Sequence, residues 1–176
     1  MGSSEFDEAY EDDPAPGDAE ERRLGEAILN ATIRDLDPRP AETLPEDASV
    51  KDAVRLMREE HIGAVLIARE GRPIGIFTER DVMRRVAFSI LPAETPLREL
   101  MTPDPETLEI DDGVGFALNR MILGGFRHIP VVDHAGRAVG VLSQREIVAF
   151  IVSLLPARIL NLPPQPRLAA RSEDGG

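Results

Sequence analysis

Apolar positions along the chain follow two different periods, and the two alternate. Val50, Ala53, Val54 and Met57 recur at helical spacing, with Arg55, Arg58, Glu59 and Glu60 between or beyond them. That pattern predicts a helix with one buried stripe. At Gly63 the period changes. Ala64 to Ala68 is a nearly continuous apolar run, short enough for a strand covered on both faces. Glu70-Gly71-Arg72 predicts a turn and Pro73 to Phe77 a returning strand. Thr78 then opens a helix bearing Val82, Met83, Val86 and Ala87. The same order returns further on. Val114, Ala117, Leu118, Met121 and Ile122 rebuild the helical stripe, and Gly124-Gly125 ends it. Ile129 to Val132 predicts a strand, Asp133-His134-Ala135-Gly136 a hairpin turn, Ala138 to Leu142 the return strand, and Gln144 to Leu155 a last helix.

The returning order is an internal repeat. Gly75-Ile76-Phe77-Thr78-Glu79-Arg80-Asp81-Val82 recurs 65 positions later as Gly140-Val141-Leu142-Ser143-Gln144-Arg145-Glu146-Ile147. Upstream the shift is 64, pairing Thr43 with Thr107, Val50 with Val114, Ala53 with Ala117 and Met57 with Met121. The change of shift places one extra residue of the second copy near Gly124 and Gly125. The two copies span roughly 33–91 and 97–156.

Flanking signals set the boundaries. Ser49 with Asp52, Thr78 with Asp81 and Ser143 with Glu146 fit helix capping boxes, and Asp111 or Asp112 is positioned to cap the helix at Val114. Arg22 to Asn30 predicts a short helix with Leu24, Ala27 and Ile28 on one side. Leu97, Leu100 and Met101 predict a short apolar turn before Thr102-Pro103. We therefore expect an acidic solvated tail over 1–22, a first repeat with its leading helix over 23–96, a second repeat over 97–156, and a proline-rich, mostly disordered end over 157–176.

Charge narrows the function classes. The net charge of −12 opposes nonspecific binding to nucleic acid or anionic lipid, which need basic surface. No apolar run reaches membrane-spanning length, and the N-terminus lacks the basic and apolar regions of a signal peptide. Cysteine is absent, which fits a reducing, cytoplasmic setting. The residues carry no cysteine nucleophile, phosphate-binding glycine loop or dinucleotide glycine fingerprint, and His61, His128 and His134 have no metal-site spacing. The reading is therefore not an enzyme.

In its ordered duplicate motifs the chain resembles a tandem pair of cystathionine-β-synthase-type (CBS) repeats, a Bateman module. The residues that carry the resemblance are Thr43, Gly75 to Asp81, Met101-Thr102, Arg127 to Asp133 and Gly140 to Ser143. It implies an α/β (α+β) fold of two β-α-β-β-α units packed about a pseudo-two-fold axis, with two clefts between them. It also implies an adenosine-containing ligand in those clefts, pairing into a dimer, and control of a regulated protein, here in trans.

Residue by residue, the resemblance places Thr78 and Asp81 at a ribose. A carboxylate accepts from vicinal hydroxyls, and a threonine hydroxyl bonds nearby oxygen. Both residues equally suit a helix cap, and the two roles are compatible. Ser143 and Glu146 are the second pair. The extra methylene of glutamate is expected to push its carboxylate toward the sugar, so the two sites are expected to be unequal, with the Asp81 site the stronger. Arg127 and His128 are placed near phosphate, with Arg80, Arg84 and Arg145 as further phosphate candidates. Thr43, Ala64, Ile129 and Pro130 are candidate walls of the adenine slots, among other residues that equally suit a core. The small supply of arginines favours AMP or ADP over ATP; S-adenosylmethionine and NAD stay open as ligands, and so does magnesium. The expected function is a nucleotide-binding regulatory module; the alternative is a ligand-free structural or protein-interaction dimer module.

Overall fold

The computed structural model of the protein describes residues 16–87, 90 and 92–155. The acidic segment before Pro16 and the proline-rich end expected over 157–176 lie outside the described residues. Helix α1 spans Pro16–Asn30, starting inside the stretch expected to be tail.

Each repeat is a β-α-β-β-α unit. In the first, β1 (Thr43–Leu44), α2 (Val50–Glu60), β2 (Ala64–Arg69) and β3 (Arg72–Thr78) lead into α3 (Glu79–Asp81), which continues as a π-helical stretch over Val82–Val86. A short strand β4 (Thr102–Pro103) adds to the edge, giving the order β1-β2-β3-β4. In the second, β5 (Leu108–Glu109), α4 (Val114–Gly124), β6 (His128–Val132), β7 (Ala138–Ser143) and α5 (Gln144–Ser153) give the order β5-β6-β7. The first pair in each sheet is parallel and the hairpin antiparallel.

Strand register relocates the extra residue. Ala64 pairs with Thr78, and His128 pairs with Ser143. The strands β2 and β6 are thus still offset by 64, and only β3 and β7 by 65. Helices α2 and α4 share the smaller offset throughout, so nothing is inserted at Gly124-Gly125. The additional residue lies in the β6–β7 turn, where the Asp133 carboxylate accepts from the Ala135 and Arg137 amides, 2.9 and 2.8 Å. A turn absorbs an added residue without moving either strand's faces.

Short leader segments are exchanged between the repeats. Ile33–Leu36 and Leu97–Glu99 each form a 3-10 turn. Ile33 is fully buried with Leu108, Val114, Met121 and Ile147 of the second repeat. Leu97 is fully buried with Val50, Met57, Ile67 and Phe77 of the first. Matching backbone bonds fix both. Val114 N–H donates to the Ala31 carbonyl and Val50 N–H to the Thr95 carbonyl, each at 2.9 Å. The repeats meet where Ala64, Leu66 and Ile76 pack against Ala138 and Val141.

The exchange also changes how α4 starts. Neither Asp111 nor Asp112 caps it; Gly113 is the capping position and makes no side-chain bond. Asp111 instead receives a two-point contact from Arg34, at 2.8 and 3.0 Å, and Asp112 accepts from the Glu109 amide at 2.8 Å. Helices α2, α3 and α5 are closed by full capping boxes at Ser49/Asp52, Thr78/Asp81 and Ser143/Glu146.

Candidate functional site

Two clefts open between the repeats, and each is built from a helix start of one repeat and the strand mouth of the other. Cleft one, with a volume of about 310 Å³, takes Thr78, Arg80, Asp81 and Arg84 from the first repeat and Arg127, His128 and Pro130 from the second. Cleft two, of about 410 Å³, takes Ser143, Arg145 and Glu146 from the second repeat and Ala64 from the first. Gly63, Glu79 and His128 lie on the wall common to both.

Capping fixes the acids. One Asp81 oxygen accepts from the Thr78 amide (3.0 Å) and hydroxyl (2.7 Å). The other lies 3.5 Å from Arg85 Nε. One Glu146 oxygen likewise accepts from the Ser143 amide (2.6 Å) and hydroxyl (2.7 Å). Glutamate's extra methylene is thus taken up in reaching back to its own helix start rather than toward a ligand. Each carboxylate is part of a cap, yet each still borders an open groove.

The basic residues divide unevenly. Arg80 bridges the repeats by donating to the Gly125 carbonyl at 2.7 Å. Arg85 lines cleft one as well and donates to the Leu100 carbonyl at 2.5 Å. The side chains of Arg84 and Arg127 have neither hydrogen bond nor ion pair among the described residues. Glu106, on the same wall, is held by Arg120, which keeps its carboxyl below the usual range. Burial, reinforced by the Arg127 charge, holds the His128 imidazole below its ordinary pKa, against the opposing pull of Glu79 and Glu146. His128 is therefore neutral near pH 7.

Two expected residues stand apart from the clefts. Ile129 lies between His128 and Pro130 on β6, so its side chain takes the opposite face and is fully buried in the second core. Thr43 is exposed on β1 beside Leu66, while its neighbours Pro40 and Glu42 line cleft two. The same alternation selects the apolar walls, Ile76 with Pro130 in cleft one and Ala64 with Val141 in cleft two. Sequence reasoning missed Glu79, Arg85 and Glu106 in cleft one. Glu79 lies inside the Thr78–Asp81 motif and Arg85 follows Asp81 at helical spacing, usable signals both; Glu106 carried none. Among the described residues no group of acidic or histidine side chains is arranged to hold a metal ion, and no helix is long and apolar enough to cross a membrane.

Comparison with known proteins gives this architecture a family. A CBS protein from Arabidopsis thaliana is 32% identical over 133 residues, covering 74% of this chain and 24% of that protein. An uncharacterised protein from Acidianus ambivalens is 30% identical over 109 residues, covering 61% of this chain and 65% of that protein. The chain thus spans less than two thirds of either relative. A solved CBS domain protein from Pyrobaculum aerophilum, in complex with AMP, is 27% identical with a TM-score of 0.63, covering 70% of this chain and 99% of that one. A CBS-domain protein from Agrobacterium tumefaciens, also solved, is 27% identical with a TM-score of 0.61, covering 68% and 98%. The CBS domain model itself matches residues 33–87 and 97–153, one match for each repeat. With well over half of its length matched in this way, the chain belongs to the CBS domain family.

Proposed function

We propose that the protein is a regulatory module that binds an adenine nucleotide in cleft one, AMP or ADP in preference to ATP, and signals to a partner protein through the packing of its repeats. One observation carries the reading. Thr78 and Asp81 of one repeat face Arg127 and His128 of the other across an open groove. Its volume of about 310 Å³ lies at the lower end of ligand pockets, about 300–1,000 Å³. The Asp81 oxygen near Arg85 is the acceptor for ribose hydroxyls, while its other oxygen keeps the cap. Arg84 and Arg127 supply donors to phosphate. The AMP complex of the Pyrobaculum relative supports this ligand class. A ligand touching both repeats prefers one arrangement of them and shifts the population toward it.

Calorimetric titration of the full chain with AMP, ADP, ATP, S-adenosylmethionine and NAD tests the proposal. Asp81→Ala is expected to weaken binding about 10-fold or more, since a hydrogen bond to a charged group contributes about 1.5–3 kcal/mol. Saturable binding that this substitution leaves unchanged would remove ribose recognition from Asp81, and no binding by any of the five would remove the nucleotide reading.

A second reading rests on exposed apolar surface. Phe116, Ile122 and Leu123 on α4 and Val148 and Val152 on α5 are at least 41% exposed, and the two helices pack side by side. Such a face suits self-association into a homodimer. Light scattering on Leu123→Glu tests it: a dimer that the charge splits supports the reading, and a monomer in both forms rejects it.

A further inference from the structure

Register makes the two clefts comparable position by position. Glu79 N–H donates to the Gly63 carbonyl at 3.0 Å, and Gln144 N–H donates to the Arg127 carbonyl at 2.9 Å. Gly63 and Arg127 are therefore equivalent places in the two repeats. Arg84 lies three residues after the capping Asp81, and Ala149 three after the capping Glu146, so these are equivalent as well. Both equivalent positions carry arginine toward cleft one; toward cleft two, Ala149 stands in place of Arg84. The acids do not follow this asymmetry. Glu106 in cleft one is neutralised by a two-point contact with Arg120. Its counterpart Glu42 in cleft two has no ion pair or hydrogen bond from its side chain among the described residues. Cleft two therefore holds Arg39 and Arg145, with the rings of His61 and His128, against Glu42, Glu79 and Glu146, whereas cleft one holds four arginines and the His128 ring against Glu79, Asp81 and a neutralised Glu106.

We infer that the clefts are two different sites: cleft one selects the phosphorylated nucleotide, and cleft two selects an adenosine compound that carries no phosphate. The inference rests on the nucleotide reading above and adds to it a division of ligand charge. An anionic phosphate entering cleft two meets uncompensated carboxylates and lacks the two guanidinium groups that cleft one provides. A neutral or cationic nucleoside meets no such opposition. Arg84 and Ala149 are the positions that set the difference.

The test is calorimetry of the full chain with ADP and with adenosine, on the unsubstituted protein, Arg84→Ala, and the double variant Ala149→Arg with Glu42→Gln. All three positions lie outside the buried cores, and circular dichroism checks each fold. We expect one ADP per chain, weakened about 10-fold by Arg84→Ala while adenosine binding changes less than about 2-fold, the loss of one charge-assisted contact. The double variant is expected to gain a second ADP. Two ADP of equal affinity on the unsubstituted chain would leave the nucleotide reading standing and overturn the division of charge. Equal weakening of ADP and adenosine by Arg84→Ala would overturn it too. Absence of binding by both ligands would overturn the nucleotide reading and the inference together.

Discussion

Thr78 with Asp81, and Ser143 with Glu146, close the same ring of hydrogen bonds with acids of different length. Each hydroxyl and its own amide converge on one carboxylate oxygen, at 2.7 and 3.0 Å in the first repeat and at 2.7 and 2.6 Å in the second. The aspartate-to-glutamate change is thus nearly neutral for local geometry. What separates the halves lies around this ring. The first repeat continues into a π-helical stretch over Val82–Val86 with no buried residue, whereas the second continues into regular helix α5 anchored by the fully buried Ile147. Val82 and Val86 are both only partly buried against the first core; at the equivalent places in the second, Ile147 is fully buried and Ile151 partly buried. The halves therefore differ in burial at one place, Val82 against Ile147, and not in the cap.

The leader exchange gives the largest effect with which to probe this pairing. Ile33 and Leu97 are both fully buried, each in the core of the other repeat. Ile33→Ala and Leu97→Ala should each cost about 2–5 kcal/mol in urea unfolding, the range for emptying such a site. Amide exchange should then rise in α4 for the first and in α2 for the second. The opposite assignment would break the exchange.

Gly75 and Gly140 occupy equivalent strands but face different neighbours. A Cβ at Gly140 would lie 2.9 Å from the Arg39 carbonyl oxygen, part of the backbone, whereas the nearest atoms to one at Gly75 belong to the Met101 side chain, its sulfur first. Met101 can turn aside and a carbonyl cannot. Gly140→Ala should therefore cost about 1–3 kcal/mol and Gly75→Ala less, as thermal unfolding would reveal.

Helix ends offer a smaller contrast. α2 ends on His61 at φ 55° and α4 on Gly125 at φ 66°, both left-handed. Gly125→Ala should destabilise by about 1 kcal/mol and His61→Gly should stabilise by a similar or smaller amount, both read from unfolding midpoints.

The smallest effects come from pH, and the two histidines of the second repeat should act with opposite sign. His128 is held below its ordinary pKa by burial and then by Arg127, with Arg80 adding and Glu79 and Glu146 opposing. The unfolded chain binds its proton first, so stability is lost as pH falls below about 6.5. His134 is raised by its bond to Glu109 (3.0 Å) and by Asp111. Its contribution is complete below about pH 6.5 and is lost as pH rises through the higher folded value. Urea midpoints between about pH 5 and 8 for His128→Gln and His134→Gln should flatten opposite limbs of the profile.

Much of this was legible in the chain. Helical and strand periods marked the repeat, and hydroxyl-acid pairs marked three helix starts, because both signals are local. The expected phosphate residues Arg80, Arg84, Arg127 and His128 do converge on one cleft, and Ser143, Arg145 and Glu146 on the other. Facing direction was less legible. Ile129 reads as a strand-mouth residue until β6 pairing turns it into the core. Partner choice was not legible at all. Ile33-Arg34-Asp35-Leu36 and Leu97-Arg98-Glu99-Leu100 look alike, and two similar apolar stripes give no indication of which segment covers which. The choice appears only in three dimensions, in the crossed burial of Ile33 and Leu97 and in backbone bonds such as those to Val114 and Val50.

The crossed leaders also bear on the order in which the chain can mature. Ile33 leaves the ribosome long before Val114 and Ile147, the residues that will shelter it, have been made. A nascent first half must therefore carry an unsheltered apolar hook, and a half released early would present that hook to any chaperone or to another copy of itself.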